Sequence, residues 1–120
     1  MTLSEFLESY KNGQRHFVEL DFECVDGFKN SNFSNAIFEK CFLYVDFTNS
    51  NLTNTVFFNC NLKMVDFTNV NFTNATLKNC SIESAIFKNV IIENFKFIEN
   101  YYCGSILNQE DFETLKNSFD

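Results

Sequence analysis

Five cysteines and one histidine are the side chains in this sequence best suited to metal binding or nucleophilic catalysis. The histidine, His16, has no cysteine, serine or paired carboxylate beside it to act as a catalytic partner. There is also no glycine-rich phosphate loop, metal-ligand spacing or nucleophile motif. The sequence therefore predicts no enzyme, no catalytic residue, no metal site and no cofactor. The role of the five cysteines depends on where the secondary structure places them.

A period of five residues runs through the sequence from residue 45 onward. The third residue of each unit is Phe, Leu or Ile, the first is small as far as Val90, and the fifth is mostly Asn. The period continues upstream, with one residue gained near Asp26 and Gly27 and one lost at Tyr44. We predict that the sixteen third positions form the core: Phe22, Phe28, Phe33, Phe38, Leu43, Phe47, Leu52, Phe57, Leu62, Phe67, Phe72, Leu77, Ile82, Phe87, Ile92 and Phe97.

A five-residue period matches neither an α-helix nor a simple strand. Inward residues at the first and third places indicate a strand of about three residues, and the remaining residues must turn a corner. Asparagine tolerates positive φ and can supply that corner. The predicted corner residues are Asn30, Asn35, Asn49, Asn54, Asn59, Asn69, Asn74, Asn79, Asn89 and Asn94.

The units SNLTN, VDFTN, CNLKM and VNFTN resemble the motif of the pentapeptide-repeat family: a small residue, Asn or Asp, a central Leu or Phe, then two polar residues. The resemblance covers roughly residues 17 to 102. It implies an all-β solenoid, a right-handed quadrilateral β-helix of about four coils with one repeat on each face. Every twentieth residue, adjusted for the two irregular steps, then shares a column, so Phe28, Phe47, Phe67 and Phe87 should stack as a ladder.

The ends of a solenoid expose apolar core and unpaired strand edges, so short capping α-helices are expected at both ends. We assign residues 1–16 to an N-terminal capping helix and residues 17–103 to the β-helix. Residues 104–120 then form a C-terminal helix whose apolar stripe is Phe112, Leu115 and Phe119. That stripe is either a cap or a dimerisation surface, since family members that resemble DNA pair through their C-terminal ends. The chain is accordingly expected to be a monomer or a homodimer.

Cys41, Cys60 and Cys80 fall at first positions of one column, about one coil apart. A structural zinc site needs four ligands that converge as a tetrahedron, which a one-sided interior ladder does not provide. We therefore interpret this cysteine column as structural, with the thiols acting as small buried apolar groups.

Five apolar residues stand at outward positions that are normally polar: Ile37, Phe42, Tyr44, Val56 and Phe58. They cluster on two adjoining faces of the second and third coils. A contiguous exposed apolar patch often marks a partner site. The alternative is that these side chains simply suit the exposed surface of a strand.

Net charge and composition argue against several classes of function. The net charge of −7 argues against direct nucleic-acid binding. The N-terminus lacks the pattern of a signal peptide, no apolar run approaches membrane-spanning length, and an odd number of cysteines suits reduced thiols in the cytoplasm. The expected function is a rigid surface for protein–protein interaction with an unknown protein partner and no membrane role.

The family resemblance also implies an alternative, a DNA mimic that inhibits or protects DNA gyrase in the manner of quinolone-resistance proteins. Mimicry requires carboxylates along a rod with the dimensions of DNA. Between Phe17 and Cys103 there are ten acids against six lysines, a net charge of only −4. The short and mildly charged body makes this the second choice.

Overall fold

Strands of three residues alternate with corners along the chain, as the five-residue period requires. The computed structural model describes residues 1–120. The strands are β1 His16–Val18, β2 Asp21–Glu23, β3 Ile37–Glu39, β4 Phe42–Tyr44, β5 Val56–Phe58, β6 Thr76–Lys78, β7 Lys96–Ile98, β8 Asn100–Tyr102 and β9 Ser105–Leu107. The helices are α1 Leu3–Lys11 and α2 Gln109–Asn117.

Strands one coil apart pair in parallel. The largest sheet has the order β1-β3-β5-β6-β7, β2 pairs with β4, and isolated bridges continue the pairing on the other faces. The chain is a right-handed quadrilateral β-helix of about four coils with a short helix at each end, which confirms the predicted fold.

The corners depend on backbone in the left-handed region. All ten predicted corner asparagines have φ between 54° and 66°, which confirms their assignment. Other residue types serve at equivalent corners, among them Lys40 with φ 55° and Met64 with φ 62°. Only short polar residues and glycine adopt this region readily. Asparagine therefore takes the role that glycine and proline fill in most turns.

The two irregular steps are corners of different length. Between Leu43 and Phe47 no residue has positive φ, so the residue that was lost is the left-handed corner residue itself. In the longer step both Cys24 and Gly27 have positive φ. Val25, rather than Asp26, packs against the core, and the side chain of Asp26 is exposed.

The interior is a set of stacked side-chain columns. The Phe47 and Phe67 rings stack with centroids 5.6 Å apart and an interplanar angle of 3°. Phe67 and Phe87 stack at 5.3 Å and 16°. Phe28 meets Phe47 edge to face at 84° instead. Offset stacking and edge-to-face contacts are both favourable for aromatic pairs.

Fifteen of the sixteen predicted core residues are at most 4% exposed. Ile92 also packs against the core but is only half-buried, because α2 packs over Phe87 and Phe97 instead. Sequence reasoning also missed Phe17, which is 1% exposed and pairs with Phe38 across β1 and β3. Phe17 opens the column that continues through Phe38.

Helix α1 closes the N-terminal end with one aromatic plug. Thr2 and Glu5 form a capping box that starts the helix. Phe6 is fully buried, with its ring 4.7 Å from that of Phe17. Rings from all four faces surround it at 6.0 Å or less: Phe17, Phe22, Phe28, Phe33 and Phe38.

The C-terminal end is closed by a hairpin and a helix. Strands β8 and β9 pair antiparallel, a hairpin that the sequence did not predict, and the proposed boundary between residues 103 and 104 lies in its turn. Phe112 of α2 is buried at 4.7 Å from the Phe97 ring, Leu115 is buried, and Phe119 is half-buried against Phe87. In this chain the candidate dimer stripe is therefore already used as a cap.

The corner geometry gives a stability test. Asn59→Val places a β-branched residue at φ 57°, and should lower the free energy of unfolding by about 1–2 kcal/mol. Met64→Asn, at φ 62°, should raise it by up to about 1 kcal/mol because asparagine tolerates this backbone better. Urea denaturation measures both. Equal stability of Asn59→Val and the parent chain would contradict the role assigned to these corners.

Candidate binding surface

The apolar patch lies on the outer surface of β3, β4 and β5. The central residues Phe38, Leu43 and Phe57 point inward and are fully buried, so the flanking residues of each strand must point outward. The patch, defined by Ile37, Phe42, Tyr44, Val56 and Phe58, follows from this alternation.

The structure divides the patch into more and less exposed members. Ile37 and Phe42 are each 37% exposed, whereas Tyr44, Val56 and Phe58 are half-buried. Ile37 pairs directly with Val56 across β3 and β5, so their side chains adjoin. Phe42 and Tyr44 lie on the adjoining face, on the strand that follows the same corner.

The patch ends where the next coils become polar. Thr76 and Lys78 of β6 pair with Val56 and Phe58, and the Lys78 ammonium lies 5.8 Å from the centroid of the Phe58 ring. On the other side, His16 Nε2 and Glu39 Oε1 are 3.0 Å apart. The apolar surface is therefore bordered by charged side chains, as at many protein interfaces.

Val18 is a further exposed apolar residue on this side, separated from Phe58 by Glu39, and sequence reasoning did not include it. It is 47% exposed on β1 and pairs with Glu39. Val18 could have been predicted from the alternation of a strand: when Phe17 points inward, both of its neighbours point outward.

A shallow groove of about 330 Å³ runs beside Tyr44, lined in part by Cys24, Val25 and Met64. Two of its acidic side chains, Asp46 and Asp66, serve local turns. Asp46 Oδ1 accepts a hydrogen bond from Thr48 N at 2.8 Å, and Asp66 makes the equivalent contact with Thr68. These aspartates therefore stabilise the corners that follow them.

The cysteine column lies inside the β-helix. Cys41, Cys60 and Cys80 are all buried, and each Sγ donates to a carbonyl oxygen of the neighbouring coil. The Cys60 Sγ lies 3.2 Å from Phe38 O. Asn100 continues the column: its Nδ2 donates to Leu77 O and its Oδ1 accepts from Cys80 N, both at 2.9 Å. Each polar group in the column thus has a partner.

Burial and hydrogen bonding within the column keep the Cys41 and Cys60 thiols protonated. Hydrogen bonding to Cys60, followed by burial, raises the pKa of Cys41. For Cys60, the Cys41 thiol lowers the pKa, whereas the Cys80 thiol and burial raise it, to a net value of about 12. A thiol must ionise to act as a nucleophile or metal ligand, so Cys41 and Cys60 are unreactive at neutral pH.

The remaining candidates are spread over the molecule. Cys24 and Cys103 are exposed and each lies at a corner with positive φ. His16 contacts only Glu39 among acidic side chains. No group of three or more His, Cys, Asp and Glu side chains is arranged to hold a metal ion, and no helix is long and apolar enough to span a bilayer.

Comparison with known proteins agrees with this architecture. The chain is a four-sided β-helical solenoid whose repeat unit has five residues. A family model of pentapeptide repeats matches residues 50–89 with eight copies, which confirms the resemblance of this part of the chain to pentapeptide-repeat proteins. A comparison with curated proteins finds no match.

Among solved structures, the chain is similar to a trypsin-treated form of QnrB1, described as a plasmid-mediated fluoroquinolone resistance protein. The sequence identity is 21% and the TM-score is 0.50, over 74% of this chain and 53% of QnrB1. It is also similar to the pentapeptide repeat protein Rfr23 from the cyanobacterium Cyanothece 51142, with 11% identity and a TM-score of 0.46, over 89% of this chain and 100% of Rfr23. The chain thus spans about half the length of QnrB1.

Thiol labelling tests the buried column. Iodoacetamide at mildly alkaline pH should modify the two exposed cysteines, Cys24 and Cys103, in the folded protein, and all five after denaturation, as counted by intact-mass spectrometry. A Cys24→Ser variant should lose one native adduct. Labelling of Cys60 at the rate of Cys24 would contradict the burial and pKa assigned to it.

Proposed function

We propose that this protein is a non-catalytic binding protein that presents a rigid β-helical surface to a protein partner. The observation that carries the proposal is the apolar patch on β3, β4 and β5, at outward positions where the other repeats are mostly polar. Single exposed apolar residues are ordinary, but a contiguous group on one surface favours a binding site.

The scaffold beneath the patch supports this role because it is preorganised. Parallel hydrogen bonds join β3 to both β1 and β5, and the central side chains of these strands are buried. A surface that is already ordered loses little conformational entropy when it binds. The patch would therefore bind as a fixed shape.

The apolar patch and the negative net charge indicate which kind of partner surface would bind. An apolar face should contact the patch, and basic side chains should surround that face, because the chain carries a net charge of −7. We propose a cytoplasmic setting, in which the five thiols remain reduced. The oligomeric state proposed is a monomer or a homodimer, with no direct nucleic-acid or membrane binding.

Partner capture with matched variants tests the patch. Immobilised parent protein, Phe42→Ser and Phe58→Ser are compared by quantitative mass spectrometry of the proteins retained. Truncating a central apolar anchor should reduce recovery of the specific partner about tenfold. Tyr101→Ser, at a 44% exposed position on β8 outside the patch, is the control and should retain the partner. Unchanged recovery by both patch variants, with unchanged thermal melting, would contradict the proposal.

The gyrase alternative rests on the family resemblance together with the fold likeness to QnrB1. A likeness at 21% identity supports a shared fold and leaves the target of this chain open. The mild charge of the body favours the apolar patch over charge mimicry. A supercoiling assay with purified gyrase and a quinolone distinguishes the two. We expect neither inhibition nor protection, and either effect would favour the alternative.

A further inference from the structure

Polar side chains of the C-terminal segment replace the coil that would come next. Within the β-helix, N–H groups of one coil donate to carbonyls of the following coil, as Asn79 N does to Ile98 O at 3.1 Å. The final coil has no successor. Its Phe97 N donates instead to Gln109 Oε1 at 2.7 Å, from the first turn of α2. The amide oxygen stands where a backbone carbonyl would otherwise lie.

Two more side chains act in the same way. Glu99 N donates to Asn108 Oδ1 at 3.0 Å, and Asn89 N donates to Asp120 Oδ1 at 2.9 Å. Hydrogen bonds from Lys116 and Asn89 lower the pKa of Asp120. This carboxylate therefore stabilises the folded cap at neutral pH, and that contribution is lost as the pH falls through its folded-state pKa.

One face of the final coil is left open. At Val90–Asn94 the N–H groups of Ile92 and Asn94 and the carbonyl of Val90 make no hydrogen bond within the chain. Ile91 is 51% exposed, and Ile92 is the only central residue of its column that is not buried. The hairpin covers the face that ends at β8, and α2 packs over Phe87 and Phe97. Neither the hairpin nor α2 covers the face formed by residues 90–94.

We propose that the edge formed by residues 90–94 binds an extended peptide segment of another protein as an added parallel strand. The coil below shows the pairing. Asn71 N donates to Ser50 O, whereas Phe72 N donates forward to Ile91 O. An added strand would likewise donate one N–H to Val90 O and accept from Ile92 N and Asn94 N through two carbonyls two residues apart.

The side chains around this open edge define the peptide. Ile91 and Ile92 offer apolar contacts, so the peptide should carry an apolar residue over Ile92, flanked by short polar residues. The net charge of −7 favours a neutral or basic segment. This end-on site uses no residue of the apolar patch, so either site can exist without the other.

A peptide with the sequence of residues 69–75 is a direct probe, because that segment occupies the equivalent place one coil below. Titration of the labelled protein, followed by amide NMR, should shift the Ile92 and Asn94 signals and slow their hydrogen exchange. Three backbone hydrogen bonds and one apolar contact suggest a Kd on the order of 1 mM. Shifts confined to other residues, or none at several times that concentration, would overturn the proposal.

Matched peptides and protein variants sharpen the test. N-methylation at the peptide residue that corresponds to Asn71 removes the donor for Val90 O and should abolish binding. N-methylation at the residue that corresponds to Phe72 removes an N–H that points away and should leave binding unchanged. In the protein, Ile91→Ser should weaken binding by about threefold or more, whereas Ile98→Ser, on a capped face, should not.

A second copy of the chain is the competing occupant. If the Ile92 and Asn94 signals shift with protein concentration in the absence of peptide, the edge pairs with another copy, and the assignment to a foreign peptide is overturned. Concentration-independent signals, together with the peptide-induced shifts, support it.

Discussion

Stacking of the central side chain of each five-residue unit between the coils below and above is the interaction on which the rest of this structure depends. It places Phe67 between Phe47 and Phe87, and it brings the backbones of successive coils into parallel hydrogen bonding. Burial of each ring contributes on the order of 1.5–3 kcal/mol. Ordering the backbone costs about 1–2 kcal/mol per residue, so the stack persists only with its corners formed and its ends covered.

The outer surface inherits its organisation from this core. Because the central residue points inward, its neighbours point outward at a regular spacing, and apolar substitutions at Ile37 and Phe42 become fixed features of a rigid face. The same regularity makes the ends exceptional. Phe6 plugs one end, while side chains such as Gln109 imitate a missing coil at the other. At residues 90–94 no side chain replaces the missing coil, so backbone N–H and carbonyl groups remain available to a partner.

Most of the fold could be predicted from the sequence, because each five-residue repeat indicates which residue points inward, which face it lies on and which residue forms the corner. It could not place the details that depend on how the ends pack. Residues 104–120 were assigned to a C-terminal helix, whereas Ser105–Leu107 forms a strand that pairs with Asn100–Tyr102 before the helix begins. Ile92 looks like every other central residue, and only the position of α2 determines that it is left half-covered. The patch residues were predictable as outward, whereas their degree of exposure depended on neighbours such as Lys78.

Proton–proton contacts between phenylalanine rings give the most direct measurement of the central claim. In protein with selectively labelled phenylalanine, rings whose centroids lie 5.6 and 5.3 Å apart should show strong cross-relaxation between Phe47 and Phe67 and between Phe67 and Phe87. Phe28 should contact Phe47 in turn, completing a ladder with steps of about one coil. Cross-peaks confined to rings that are neighbours in sequence, with none across successive coils, would contradict the stacked interior and the surfaces inferred from it.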